Sequence, residues 1–146
     1  MPKKILLAAD DESVRETMGR VLESEHYLVT LARTGRDAAT KFFADLPDLV
    51  LLDLDMPERD GWDVFNLMHQ THPTVPVIVI TAKSQQHKRA ADCGIDALME
   101  KPLDLPLLLV TIAALLDKPA TERIREIANH SFKTAFLENH TKETMP

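Results

Sequence analysis

A run of four apolar residues, Leu49-Val50-Leu51-Leu52, most constrains the fold of this chain, and it ends on the carboxylate of Asp53. A strand that is apolar at every position is buried on both faces, which is typical of a parallel sheet between two layers of helices. Turn residues follow at Met56-Pro57 and Asp60-Gly61. Open sheets of this kind carry their chemistry at the carboxyl ends of the strands. We therefore predict that Asp53 faces a crevice lined by loops.

The rest of the chain as far as residue 117 repeats the order of strand and then helix, with about 20–25 residues in each repeat. Besides the central run, strands are predicted over residues 5–9, 27–32, 77–80 and 96–100. Helices are predicted over residues 13–25, 35–43, 61–71, 84–93 and, after the cap residue Asp104, to about 117. Right-handed crossovers turn this order into an α/β fold, a doubly wound sheet of five parallel strands with helices on both faces.

The composition describes an ordinary globular chain. Its 146 residues include 45% hydrophobic and 27% charged residues, enough for one well-buried core. The formal net charge of −6 argues against direct nucleic-acid binding by the chain as a whole. The longest apolar run, residues 107–116 interrupted only by Thr111, is too short to cross a bilayer, so no membrane association is expected. The single Cys93 and the lack of a recognisable signal peptide before the first strand predict a cytoplasmic location.

Polar residues stand at the carboxyl ends of four of the predicted strands, and these ends share one edge of a parallel sheet. They are Asp10 and Asp11, Asp53, Thr81 and Lys101. Carboxylates gathered in one place repel one another unless a cation lies among them, and a hard divalent cation such as Mg²⁺ prefers oxygen ligands. A lysine and a hydroxyl beside them are suited to the oxygens of a phosphoryl group. Asp53, in the middle, is the best placed nucleophile.

This set resembles the response-regulator receiver domain, the CheY-like superfamily of two-component signalling, over about residues 3–117. In that family an acidic pair follows the first strand, a phosphoacceptor aspartate ends the third, Thr or Ser ends the fourth and Lys-Pro ends the fifth. Here the matching residues are Asp10-Asp11, Asp53, Thr81-Ala82 and Lys101-Pro102. The resemblance implies a flavodoxin-like fold of five strand–helix units. It also implies a phosphorylation-dependent signalling switch.

By that resemblance, Asp53 accepts a phosphoryl group from the phosphohistidine of a sensor histidine kinase or a phosphotransfer protein. Mg²⁺ is expected on Asp11, Asp53 and the backbone carbonyl of Asp55, with Asp10 helping through water. Lys101 is expected to contact the phosphoryl group and Thr81 to move towards it. The protein is then not an enzyme, beyond its own phosphorylation and dephosphorylation, and it relays the signal by protein–protein contacts.

Three positions are expected to tune the switch or its readout. The family typically carries an aromatic residue three positions before the lysine, and this chain has Leu98 there. This chain therefore has no ring at that position for the usual aromatic readout. Asp55 and Lys83 flank the site at positions that modulate dephosphorylation in the family, and we predict that they pair over the phosphoryl group and restrict attacking water.

Residues 118–146 are predicted to be a C-terminal extension outside a receiver domain of residues 1–117, helical over about 121–138. The last helix of the receiver part is apolar on nearly all sides, so a second face of it is expected to be covered. The extension folding back and a partner, such as a second copy in a homodimer or a downstream protein, are both candidates for that cover. Surplus core packing is the third alternative.

Two other functions compete with the switch. A phosphatase of the haloacid-dehalogenase type also has a buried strand followed by Asp-x-Asp, here Asp53-Leu54-Asp55, but it carries its metal-binding acidic pair after the lysine. A degenerate receiver that serves only as a docking module is disfavoured by the intact acidic set. The glycine-rich loops that bind phosphates in nucleotide and dinucleotide folds are absent, so a dehydrogenase or nucleotide hydrolase is not expected.

Overall fold

The computed structural model describes residues 2–56, 61–82, 87–129 and 133–137, with only the backbone of residues 87–89. Six parallel strands form one sheet in the order β2-β1-β3-β4-β5-β6. The strands are β1 (Lys4–Ala8), β2 (Leu28–Ala32), β3 (Leu49–Asp53), β4 (Val77–Thr81), β5 (Ala97–Glu100) and β6 (Ala135–Leu137). The helices are α1 (Glu12–Ser24), α2 (Gly35–Ala44), α3 (Gly61–Thr71), α4 (His87–Cys93), α5 (Leu105–Asp117) and α6 (Ala120–Ala128).

The hydrophobic core lies on both faces of the sheet, as the alternation of side chains along the strands requires. One cluster joins Leu6, Val50 and Leu52 to side chains of α2, α3 and α4. The other joins Ile5, Leu7, Leu49 and Leu51 to α1 and α5. β3 and β4 are buried at every position. The predicted doubly wound parallel sheet is therefore confirmed, with one strand more than expected.

Local signals start and stop the helices where the sequence predicts. The side chains of Asp11, Thr34 and Asp104 accept hydrogen bonds from the first turns of α1, α2 and α5. Gly94 follows α4 with a φ of +79°, a conformation that glycine adopts without strain. The three aspartate and threonine caps lie in the loops that follow β1, β2 and β5, at one edge of the sheet.

The C-terminal extension differs from the sequence prediction. The expected helix over about 121–138 is wrong in its second half, because α6 ends at Ala128 and β6 follows at Ala135–Leu137. β6 pairs in parallel with β5, and the Ala135 amide donates to the Asp96 carbonyl at 2.8 Å. Without β6 the backbone groups along that edge of β5 would lack this strand partner, and strand pairing satisfies them better than a continued helix would.

α5 retains exposed apolar surface. Leu108 and Ile112 are fully buried against the sheet, while Val110 is 68% exposed. The leucines on its flanks are partly buried, and Leu137 of β6 packs against the same core cluster. The extension therefore contributes to this face without covering all of α5. Within the described part of the chain, no helix has the length and apolar character needed to span a membrane.

Candidate functional site

Asp53 closes β3 at the centre of the sheet, between β1 and β4, and it is only 2% exposed. One carboxylate oxygen, Oδ1, accepts the backbone N–H of Asp55 at 2.8 Å. The other, Oδ2, accepts Lys101 Nζ at 2.8 Å. Both oxygens thus have a partner, and the negative charge of this buried carboxylate is balanced by one ammonium group.

Asp55 lies beside it, and its carboxylate also points into the site. Oδ2 accepts the backbone N–H of Ala82 at 2.7 Å and Lys101 Nζ at 3.2 Å, while Oδ1 accepts the Thr81 hydroxyl at 3.2 Å. Burial would raise the pKa of the Asp55 carboxyl. The hydrogen bonds from Ala82, Lys101 and Thr81 outweigh burial and hold that pKa below its ordinary value.

Lys101 joins the two carboxylates. Its backbone N–H donates to the Thr81 carbonyl at 2.8 Å, which fixes the start of the loop after β5 against the end of β4. Burial would lower the pKa of its ammonium group, but the hydrogen bonds and charges of Asp53 and Asp55 outweigh this effect and raise it above the ordinary value. The Lys101–Pro102 peptide bond that follows is cis.

The acidic pair follows the end of β1, which lies next to β3 in the sheet. Asp10 and Asp11 are exposed, and Asp11 Oδ1 accepts the Val14 amide at 3.1 Å as the cap of α1. The buried guanidinium of Arg15 donates to the carbonyls of Ala9 at 2.9 Å and Asp10 at 3.2 Å, so it holds the loop that carries the pair. Among the residues that the structure describes, no three His, Cys, Asp or Glu side chains are grouped as a metal site.

The structure therefore brings together four of the predicted residues, Asp53, Asp55, Thr81 and Lys101. Leu98 lies on β5 level with Val79 of β4, buried among the side chains of the α2–α4 face. Lys83 lies outside the described residues, so its pairing with Asp55 stays a prediction.

Sequence reasoning assigned no role to two groups whose hydrogen bonds shape this edge of the sheet. The backbone N–H of Ala82 became visible only with the fold, because a backbone donor leaves no mark in the sequence. Arg15 did leave one, since it follows Asp11 by one helical turn and so lies over the loop that carries the acidic pair.

The arrangement has the chemistry to bind an oxyanion beside the Asp53 carboxylate. A hydroxyl, a backbone N–H and an ammonium group converge beside a buried carboxylate, and donors fixed in this way stabilise negative oxygens.

Comparison with known families decides the kind of protein. Residues 5–113 match the family model described as the response regulator receiver domain. The chain belongs to this family. The predicted membership is confirmed, and it favours the signalling switch over a phosphatase of the haloacid-dehalogenase type. The family is one of signalling switches, generally without catalytic turnover of a substrate.

Similar proteins agree with this assignment. The response regulator MprA of Mycolicibacterium vanbaalenii is 36% identical over 98% of this chain, and the chain spans 63% of that relative's length. A CheY-like receiver domain protein of Methanospirillum hungatei has a TM-score of 0.77 at 26% identity, covering 86% of this chain and 99% of its own. The response regulator TrrA of Thermotoga maritima, solved in complex with Mg²⁺-BeF, has a TM-score of 0.72 at 28% identity, covering 77% and 98%.

Proposed function

We propose that this chain is a phosphorylation-dependent switch in which Asp53 accepts a phosphoryl group from the phosphohistidine of a sensor histidine kinase or a phosphotransfer protein. The observation that supports it best is the buried Asp53 carboxylate at the end of β3, with Lys101 Nζ at 2.8 Å. The Thr81 hydroxyl and the Ala82 amide donate to the Asp55 carboxylate, which the same lysine also contacts. A nucleophile and three donors for phosphoryl oxygens are thus present in one place.

The chemistry needs only one bond made and one broken. An oxygen of the Asp53 carboxylate attacks the phosphorus atom, an O–P bond forms and the P–N bond of the phosphohistidine breaks. The electron pair of that bond stays on the imidazole nitrogen, which takes up a proton. Lys101 balances the charge that the phosphoryl oxygens bring, and Thr81 and Ala82 can each donate a hydrogen bond to one of them.

Mg²⁺ fits the chemistry of the donors at this edge. Asp11, Asp53 and the backbone carbonyl of Asp55 would hold the ion, with Asp10 contributing through water, and all of these donors are oxygens. Asp11 is exposed, and its hydrogen bond with the Val14 amide is one that a rotation of its side chain would release. When bound, Mg²⁺ supplies positive charge against the carboxylates and the phosphoryl oxygens. The Thermotoga relative was solved with this same ion bound.

We further infer that the signal leaves by protein–protein contacts and not by direct nucleic-acid binding by this segment. Movement of Thr81 would change the packing of Leu98, because β4 and β5 are adjacent and Leu98 is buried behind the site. Homodimer formation through the exposed side of α5 or through the extension is the simplest form of output.

Asp55 and Lys83 would set the lifetime of the acyl phosphate. Light scattering with and without Mg²⁺ and beryllofluoride tests the dimer, and acyl-phosphate decay in Lys83→Ala tests the lifetime.

The decisive experiment is incubation with acetyl phosphate and Mg²⁺, followed by intact-mass measurement. We expect the addition of one phosphoryl group, lost in Asp53→Asn and retained in Asp92→Asn, which changes an exposed carboxylate on α4. Addition that persists in Asp53→Asn would refute Asp53 as the acceptor. A parallel assay with a generic aryl phosphate should show no sustained release of phosphate, whereas a phosphatase would turn over.

A further inference from the structure

The Asp55 carboxylate occupies a complete oxyanion site. It takes one hydrogen bond from a hydroxyl (Thr81, 3.2 Å), one from a backbone amide (Ala82, 2.7 Å) and one from an ammonium group (Lys101, 3.2 Å). These donors come from the ends of two strands, β4 and β5, that meet only in the folded sheet. Asp55, in the loop after β3, therefore occupies a site whose donors are supplied by β4 and β5.

We propose that Asp55 is an internal stand-in for the phosphoryl group. In the unphosphorylated chain its carboxylate accepts the hydrogen bonds of Thr81, Ala82 and Lys101. It has to leave these donors when a phosphoryl group is attached to Asp53. This inference rests on the proposed function of Asp53 as phosphoacceptor. It adds a competition within the site, in which the occupant before phosphorylation is part of the chain itself.

The distances around Lys101 support this competition. Lys101 Nζ is 2.8 Å from Asp53 Oδ2 and 3.2 Å from Asp55 Oδ2, so the two carboxylates meet at a single cation. A phosphoryl group on Asp53 Oδ2 would bring its oxygens next to the same ammonium, where the Asp55 carboxylate already lies. Two anionic groups in this space would repel each other, and the Asp53 side chain, only 2% exposed, has little water around it to screen the charge.

A route for displacement exists. The Asp55 side chain is 21% exposed, whereas that of Asp53 is 2% exposed, so a rotation can carry the Asp55 carboxylate into solvent while Asp53 stays in place. Phosphorylation therefore includes the cost of breaking three hydrogen bonds to a charged group, and removing the Asp55 carboxylate removes that cost. Because hydrogen bonds to charged groups are strong, we expect removal of the Asp55 carboxylate to increase the affinity for a phosphoryl mimic about tenfold.

Beryllofluoride, which binds to a carboxylate as a mimic of a phosphoryl group, provides the test. Its affinity in the presence of Mg²⁺ is measured by calorimetry for the wild type, Asp55→Ala and Asp55→Asn. We expect Asp55→Ala to bind about ten times more tightly than the wild type, with Asp55→Asn in between because it keeps the shape without the charge. Asp63→Ala removes an exposed negative charge on α3 and should leave the affinity unchanged.

The amide proton of Ala82 gives a second readout by NMR that a merely structural role of Asp55 would not move. In the wild type this proton exchanges one anionic acceptor for another when beryllofluoride binds, so its resonance should shift little. In Asp55→Ala it gains an acceptor that it lacked, so its shift should be several times larger. Thermal melts of all variants confirm that they fold, and Asp55→Asn carries the test if Asp55→Ala does not.

The outcomes separate the two proposals. If the wild type accepts a phosphoryl group from acetyl phosphate but Asp55→Ala binds beryllofluoride equally or more weakly, the stand-in role is overturned while the proposed function stands. Weaker binding would point to Asp55 as a ligand of the metal or of the phosphoryl mimic. If neither protein binds beryllofluoride or accepts a phosphoryl group, the proposed function fails and this inference fails with it.

Discussion

Arg123 of α6 forms a bidentate ion pair with Asp96, the residue before β5, and both side chains are almost completely buried. The guanidinium also donates to the Pro73 carbonyl at 2.9 Å, and the Asp96 carboxylate accepts the Val77 amide at 2.9 Å. One charged pair thus joins the C-terminal extension to the amino ends of β4 and β5.

Replacing Arg123 by methionine should lower the free energy of unfolding by about 3–5 kcal/mol, because it leaves the buried Asp96 carboxylate without its cation. Urea denaturation at 25 °C measures the change. Arg125→Met on the exposed side of the same helix is the matched control and should change stability by about 0.5 kcal/mol or less. Equal effects of the two changes would mean that the pair contributes no more than a surface charge does.

Neutralising Asp53 and removing the Lys101 ammonium should change the free energy of unfolding in opposite directions, because two carboxylates share this one ammonium group. Asp53→Asn should raise the free energy of unfolding, on the order of 1 kcal/mol in the absence of divalent cations, because it removes one of two repelling carboxylates. Lys101→Met should lower it by about 1.5–3 kcal/mol, since both carboxylates then lose their charged donor. Urea denaturation with a chelator present distinguishes the signs, and a loss of stability in Asp53→Asn would contradict the reasoning.

Gly61 and Gly19 should respond to alanine in opposite ways. A Cβ on Gly61 would lie 2.6 Å from Leu54 Cδ2 and 3.0 Å from Leu54 Cα, so Gly61→Ala should displace the loop after Asp53 and cost about 1–3 kcal/mol. On Gly19, inside α1, a Cβ would lie 3.5 Å from Leu31 Cδ2, an ordinary contact. Gly19→Ala should therefore stabilise the helix by about 0.5–1 kcal/mol. Thermal denaturation of the two variants side by side checks both signs.

His69 should make stability depend on pH below neutrality. Its ring stacks on Phe65, and burial lowers its pKa, with the positive charge of Arg123 acting in the same direction and Asp96 in the opposite one. The unfolded chain, with an ordinary imidazole pKa of about 6.5, binds a proton more readily than the folded protein. The contribution of neutral His69 is therefore complete above about pH 6.5 and is lost as the pH falls towards its lower folded-state pKa. Denaturation midpoints between pH 5 and 7.5 should vary less in His69→Gln, and an unchanged profile would exclude this role.

The sheet could be predicted because its strands are continuous apolar runs, whose burial on both faces leaves little choice of partner. Leu49 to Leu52 and Val77 to Ile80 are both of this kind. β6 could not be predicted in the same way, since a three-residue strand carries almost no pattern of its own and forms on an edge provided by β5. The apolar spacing around it fitted a helix equally well.

The site could be predicted as a set of positions but not as a set of bonds. The parallel order brings Asp53, Thr81 and Lys101 to one edge, whatever their rotamers. The direction of a side chain depends on donors that only the folded chain provides, which is why Asp55 points at the Ala82 amide and Asp11 caps α1. Asp96 and Arg123 lie 27 residues apart, and no local pattern relates them.

The late position of β6 in the chain has a consequence for folding during synthesis. β1 to β5 and α5 all leave the ribosome before β6 does, so the outer edge of β5 stays open while the rest of the sheet can already assemble. An open strand edge is a template for pairing with another chain. Nascent or shortened chains that end before residue 135 are therefore the ones most exposed to aggregation through β5.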